Sequence, residues 1–185
     1  MSAESVAAAL RAVPTSAAEL SDAIPPAAPG FYGWWIRPGA LPCVPTTRFP
    51  EAAPWGLLYV GIARGKSGSG ATIRSRVTGH HLGGNAGSST FRKSMASLLF
   101  EHDGWRLERR TRKVVLKRED NAALSRWIRE HLALTWTEQA DPWREPLESE
   151  AISLLRPPIN LRYNGTHPFY KTVRAARGRF EAAAV

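Results

Sequence analysis

Gly30-Phe31-Tyr32-Gly33-Trp34-Trp35-Ile36 and Leu57-Leu58-Tyr59-Val60-Gly61-Ile62 are the two stretches whose reading decides the fold. Both are dense in aromatic and branched apolar residues, and the first is bounded by Pro29 and Pro38, so each reads as a β-strand. Each carries a tyrosine near its centre with a glycine two positions away: Gly30 before Tyr32, and Gly61 after Tyr59. A lone strand tyrosine is ordinarily packing. The flanking glycines suggest instead that the backbone beside each hydroxyl is kept open for a bulky ligand.

Outward from these strands the pattern turns helical. Residues 64–71 read as a flexible loop, and Gly61 to Ser67 fails as a phosphate-binding loop because its glycines are one residue too close. Thr72–His81 places Ile73 and Val77 on one side. On such a helix Arg76 and His80, four apart, share a face, whereas His81 lies about 100° further round. A zinc site on His80 and His81 is rejected, since adjacent helical histidines diverge and no third ligand is evident. Helices are predicted over Ser89–Phe100, Asp120–Leu132, Glu145–Leu155 and Pro168–Phe180, with a strand at Leu134–Thr137 and a short one at Val114–Leu116. Two further short helices are predicted near Glu4–Ala12 and Ser16–Ile24, before the breaks at Pro25, Pro26 and Pro29. The expected organisation is an N-terminal Ala/Pro-rich segment over 1–28 and one domain over 29–185. Its fold class is α/β, a small antiparallel or mixed sheet flanked by helices, with extra helices inserted.

On the predicted helix 145–155, Leu147, Ala151, Leu154 and Leu155 mark the buried face. Glu148 flanks that face and Glu150 points away. A metal ligand belongs at the rim of a core, so Glu148 is the better candidate. Hydrolysis of a phosphodiester needs an oriented and deprotonated water, neutralised phosphoryl oxygens and a stabilised leaving oxygen. Tyrosine, histidine, arginine and carboxylate side chains supply those roles.

With all these pieces in order, the chain resembles the GIY-YIG nuclease family, in particular its restriction-endonuclease-like members. Gly30-Phe31-Tyr32 stands for the first triplet and Tyr59-Val60-Gly61 for the second. Thr72 to Val77 is similar to the arginine helix, with Arg76 in the arginine position and His80 one turn later. Leu147 to Ile152, followed by Arg156-Pro157-Pro158-Ile159-Asn160, is similar to the glutamate helix and its asparagine ending. The resemblance implies a catalytic set of Tyr32, Tyr59, Arg76, His80, Glu148 and Asn160. Glu148 would hold one divalent ion, Mg²⁺ or Mn²⁺. Arg76 would stabilise the scissile phosphate, a tyrosine with His80 nearby would activate water, and Asn160 would hold the site in shape. It covers roughly residues 29–164, with long insertions between the triplets and over 82–146.

The charge agrees with a polyanionic partner: 25 Lys and Arg against 16 Asp and Glu give +9. Expected contacts to double-stranded DNA are Arg74, Arg106, Arg109, Arg110, Arg112, Lys113, Lys117 and Arg118. Cleavage of both strands by one such site would call for a homodimer, with 82–146 as its interface. The single cysteine, Cys43, excludes an intrachain disulfide. No apolar run is long enough for a membrane span, and Met1–Leu10 lacks the basic start of a signal peptide. The expected setting is cytoplasmic, and the expected role is restriction or defence ahead of repair.

Overall fold

The structure is a computed structural model that describes residues 1–21, 24–63, 68–143 and 146–184. Residues 64–67, half of the loop expected at 64–71 and the later part of the glycine pattern rejected above, lie outside the described residues, as does Glu145. Five strands form one sheet. Strand β2 (Gly30–Ile36) lies between β4 (Gly56–Ala63) and β7 (Leu132–Glu138). The short β1 (Thr15–Ser16) extends the sheet beyond β7, and β3 (Thr47–Arg48) extends it beyond β4. Every pairing is antiparallel.

The register fixes the site. Tyr32 faces Gly61 and Trp34 faces Tyr59 across the β2–β4 pair. The pairing then slips, so that Trp35 faces Leu57 and Leu58 is the extra residue of a bulge. Side chains alternate along a strand, so Tyr32 and Trp34 project to one face and Phe31 and Trp35 to the other. The first face packs Ile73, Val77, Phe91, Met95, Leu124, Ile128 and Phe180. The second packs Val6, Leu10, Ala151, Ile152 and Leu155. Helices therefore cover both sides of the sheet.

On the first face lie a wide helical segment (Ser75–Leu82), α2 (Thr90–Leu99), α3 (Arg118–His131) and α5 (Tyr170–Ala182). On the second lie α1 (Ala3–Leu10) and α4 (Leu147–Leu155). α1 is capped by Ser2, whose hydroxyl accepts from the Ser5 amide. Its Val6 and Leu10 are fully buried, so the N-terminal helix belongs to the core rather than hanging beside it. Trp35 Nε1 donates to Thr135 Oγ1 at 2.9 Å, and that hydroxyl donates to the Leu10 carbonyl at 2.8 Å. This satisfies a helix-end acceptor that burial would otherwise orphan.

Three expectations change. The second predicted N-terminal helix does not form where expected: Thr15 and Ser16 pair with Leu134 and Ala133 as an edge strand. The basic run contains a hairpin, β5 (Leu107–Arg110) and β6 (Lys113–Leu116), whose inner residues Val114 and Leu116 join the core. The segment 82–146 is thus built into its own domain. Among the described residues, the exposed large apolar side chains are Met1, Val13, Ile24, Leu154 and Tyr163, and none lies in that segment, so nothing there supports an apolar interface with a second copy.

Candidate active site

The helical segment after β4 is not an ordinary α-helix. From Ser75 to Leu82 it is a π-helix, in which each N–H bonds five residues back, as Gly83 N does to Thr78 O at 2.8 Å. Its local chemistry fits the widening. The Thr78 hydroxyl takes the Arg74 carbonyl at 2.9 Å, a competitor for helical pairing. The consequence is a shift in which residues share a face. The histidine turned inward is His81, which is buried, while His80 is only half-buried.

His81 is 3% exposed and sits in a hydrogen-bonded chain. Its Nε2 meets the Tyr32 phenol at 2.7 Å and its Nδ1 meets Ser89 Oγ at 2.8 Å. Ser89 is also the N-cap of α2 and accepts from the Arg92 amide at 3.1 Å. In the tautomer that donates Nδ1–H to Ser89, Nε2 accepts the phenolic proton of Tyr32. Burial, reinforced by the nearby positive charge of Arg76, drives the His81 pKa well below its ordinary value, so the ring is neutral. Arg92, fully buried, ties the end of the π-helix in place. It donates to the carbonyls of His81 and Leu82, to Ser125 Oγ and to Asn121 of α3. Burial lowers its own pKa to about 10.

Tyr32, Tyr59, Arg76, Glu148 and Asn160 line one cavity of about 230 Å³, together with Ile62, Thr90, Leu161 and Arg162. Five of the six residues expected in the site therefore meet. His80, half-buried on the same helix, is not among the lining residues. The histidine that touches a tyrosine is its neighbour. Burial raises both phenols, Tyr59 to about 12 and Tyr32 further, while the guanidinium of Arg76 pulls both back. Arg76 Nε is buried without a hydrogen-bond partner, leaving a cationic donor unsatisfied in the wall of the cavity. Glu148 comes from the opposite helical layer, in the first turn of α4, and Arg162 Nη1 lies 3.5 Å from its Oε2. Asn160 lies behind the tyrosines. Its Oδ1 accepts from Val60 N at 2.9 Å and its Nδ2 donates to Val60 O at 2.8 Å, pairing with β4 as a strand would. Both ends of the amide are committed, which makes Asn160 a clamp on the backbone beside Tyr59.

The glycines have a different purpose from the one expected. A Cβ at Gly61 would fall on the Tyr32 ring, and one at Gly30 would overlap the Thr137 carbonyl. Gly61 makes room for the catalytic candidate itself, not for a ligand. Gly61→Ala should cost about 1–3 kcal/mol through overpacking and displace Tyr32. Thermal unfolding and nicking activity should both fall, and unchanged activity would show that the Tyr32 position is not critical.

A family comparison now decides the class. The GIY-YIG catalytic domain matches residues 30–179. The chain belongs to the GIY-YIG nuclease family. No curated protein and no solved structure matches it. The family match ends within α5, so most of this last helix counts as part of the GIY-YIG domain.

Several basic residues expected on DNA are engaged within the protein. Arg74 Nε donates to the Pro25 carbonyl at 2.9 Å. Arg106 pairs with Asp120 at 2.9 Å and Glu119 at 2.6 Å, fastening the hairpin to α3. Arg109 Nη2 donates to the Glu181 carbonyl at 3.2 Å, and Arg110 pairs with Glu108 at 2.6 Å. Arg112, Lys113, Lys117 and Arg118 are exposed. Sequence could not separate the two groups, because an arginine's partner is set by which helix folds back against it. Among the described residues, no helix is long and apolar enough to cross a membrane, and no cluster of three or more His, Cys, Asp or Glu could hold a metal.

Proposed function

We propose that this GIY-YIG protein is a metal-dependent endonuclease acting on double-stranded DNA. The observation that carries the reading is the convergence of two tyrosines, an arginine with an unsatisfied donor and a glutamate on one cavity, from β2, β4, the π-helix and α4. The donors suit a hard cation. Glu148 contributes one carboxylate, and magnesium is commonly held by one or two carboxylates with water and substrate phosphate completing the shell. Both nitrogens of His81 are committed elsewhere, which argues against zinc. Glu148 would hold Mg²⁺ or Mn²⁺, which when bound would neutralise charge developing on the phosphoryl oxygens.

The chain's own residues would do the rest. Arg76 would donate to the scissile phosphate, supplying the partner its Nε lacks. Tyr32 would act as the base. Its Oη proton would pass to His81 Nε2 along the existing hydrogen bond, and its oxygen would accept the proton of the attacking water. Tyr59, half-buried at the cavity wall, would orient that water. As the water oxygen bonds to phosphorus, the P–O3′ bond would break, and the departing O3′ would take a proton from solvent, leaving a 5′-phosphate and a 3′-hydroxyl. Asn160 would keep β4, and so Tyr59, in register.

The test is incubation of the protein with plasmid and genomic DNA, modified and unmodified, with Mg²⁺, Mn²⁺ or EDTA. Conversion of supercoiled DNA to nicked or linear forms is expected with either ion and not with EDTA. Dependence on base modification would support a restriction or defence role over repair. Binding without nicking in any divalent ion at low salt would instead identify a catalytically silent binding module. If linear product forms in a single encounter, sedimentation on DNA should show two copies.

Affinity should also depend on salt. If Arg112, Lys113, Lys117 and Arg118 each meet a phosphate, neutralising all four should reduce the slope of log K against log salt by about 3–4. Arg106→Gln should leave the slope nearly unchanged, because that guanidinium already serves Asp120 and Glu119. The reverse pattern would place the DNA on the other side of the hairpin.

A further inference from the structure

Arg177, on α5, stands beside the cavity without belonging to any of the motifs described above. Its Nη2 donates to the Thr90 carbonyl at 2.7 Å and to Ser94 Oγ at 2.8 Å, both on α2. Thr90 lines the cavity, and the next residue, Phe91, packs its ring 5.4 Å from that of Tyr59. The two bonds hold the guanidinium plane still, yet they use one nitrogen only. Nε is buried and unpartnered, as it is in Arg76. Among the described residues, no carboxylate forms an ion pair with it. Glu181, whose field reaches Arg177, is itself paired with Lys93. A half-buried guanidinium with an unpartnered buried donor and no direct ion pair is costly to maintain in the free protein. It gains most from an anion delivered to it, and a guanidinium matches phosphate geometry in particular.

Resting on the reading of the site as a DNA nuclease, we propose that Arg177 is a second phosphate-binding arginine, which holds the phosphate next to the scissile one. Arg177 touches Thr90 in the cavity wall but does not itself line the cavity, and this assigns it the neighbouring phosphate rather than the one that Arg76 would hold. A duplex laid across the cavity would then be gripped at two points, one from the π-helix and one from α5. The second grip fixes the register of the strand on the site without touching a base.

The experiment uses Glu148→Gln protein, so that DNA is bound and not cut, with a short duplex carrying one neutral methylphosphonate at each position in turn. With Arg177 intact, one methylphosphonate position beside the scissile phosphate should weaken binding about tenfold. In the Arg177→Met variant that position should become indifferent, and the salt slope should fall by about one. Arg177→Lys should keep the slope, since it retains the charge. If Arg177→Met folds poorly, arginine side-chain NMR of the Glu148→Gln protein reports the same contact. The Arg177 signals should shift with unmodified duplex and stay in place with the duplex neutral at that one position. An unchanged slope together with an unchanged methylphosphonate profile, or Arg177 signals indifferent to DNA, would reduce Arg177 to a fastener of α5 on α2 while the nuclease reading stands. Failure to bind any DNA at low salt would overturn the nuclease reading and this inference with it.

Discussion

Glu148→Gln should abolish cutting, by more than about a thousandfold, while Glu150→Gln should remain active within a few-fold. The two carboxylates are two positions apart on α4, yet they belong to different surroundings. Glu148 lines the cavity with both tyrosines and Arg76, its side chain only 21% exposed. Glu150 is exposed and faces another hollow, shared with Glu4 and Asp141 against α1. An amide at 148 keeps the shape of the side chain and removes the charge that attracts a divalent ion. It also removes repulsion from an incoming phosphate, so DNA affinity should hold or rise. Arg162, which pairs with Glu148, is two-thirds exposed, so loss of that pair should cost thermal stability little. Plasmid nicking over a Mg²⁺ series, with binding measured in parallel, separates the two effects. Full activity in Glu148→Gln, or loss confined to Glu150→Gln, would overturn the assignment of the metal ligand.

The parts of this site that sequence made legible are those governed by a fixed period. Alternation along β2 and β4 placed Tyr32 and Tyr59 in adjacent strands. The helical wheel of α4 chose Glu148 over Glu150, and the structure puts the two in different cavities. The family pattern pointed to Asn160, whose amide clamps Val60. What failed was the assumption that a helical run keeps one period throughout. Nothing in Ser75–Leu82 announces a π-helix, although Thr78, whose hydroxyl takes a main-chain acceptor, and the Gly83-Gly84 exit are the signals that could have raised it. The hairpin β5–β6 was half-seen because charge dominates its first strand: Arg109 and Arg110 are exposed, and of β5 only Leu107 packs on the core. Arg177 and Ser89 lay beyond reach for another reason. Their importance comes from α5 folding back on α2 and from a cap that doubles as a histidine partner, both of them long-range contacts with no local signature.

The change from His80 to His81 carries the second large effect. Tyr32→Phe and His81→Ala should each lower kcat by about a hundredfold to ten-thousandfold, the range of general acid–base catalysis, and His80→Ala should stay near wild type. The reason is the bond from the Tyr32 phenol to His81 Nε2. Burial holds the phenol above its ordinary pKa, so at neutral pH Tyr32 is protonated and must release its proton if it is to accept one from water. His81 is neutral there, its pKa held low by burial and by Arg76, so its Nε2 carries a free lone pair; because both shifts oppose the transfer, the proton should move to it only in concert with the one that Tyr32 takes from water. Because the two act as one unit, their losses should not add. Tyr32→Phe combined with His81→Ala should be scarcely slower than either alone. The rate should climb with pH through the alkaline range, since the ionised phenol is the minor form below its raised pKa. Tyr32→Phe should flatten that climb. His81→Asn, which fills more of the buried site than alanine, separates a lost proton acceptor from a collapsed helix, and near-UV circular dichroism monitors the fold. If His80→Ala proves the more damaging, or if the two losses in the double variant simply add, then the proton leaves Tyr32 by another route.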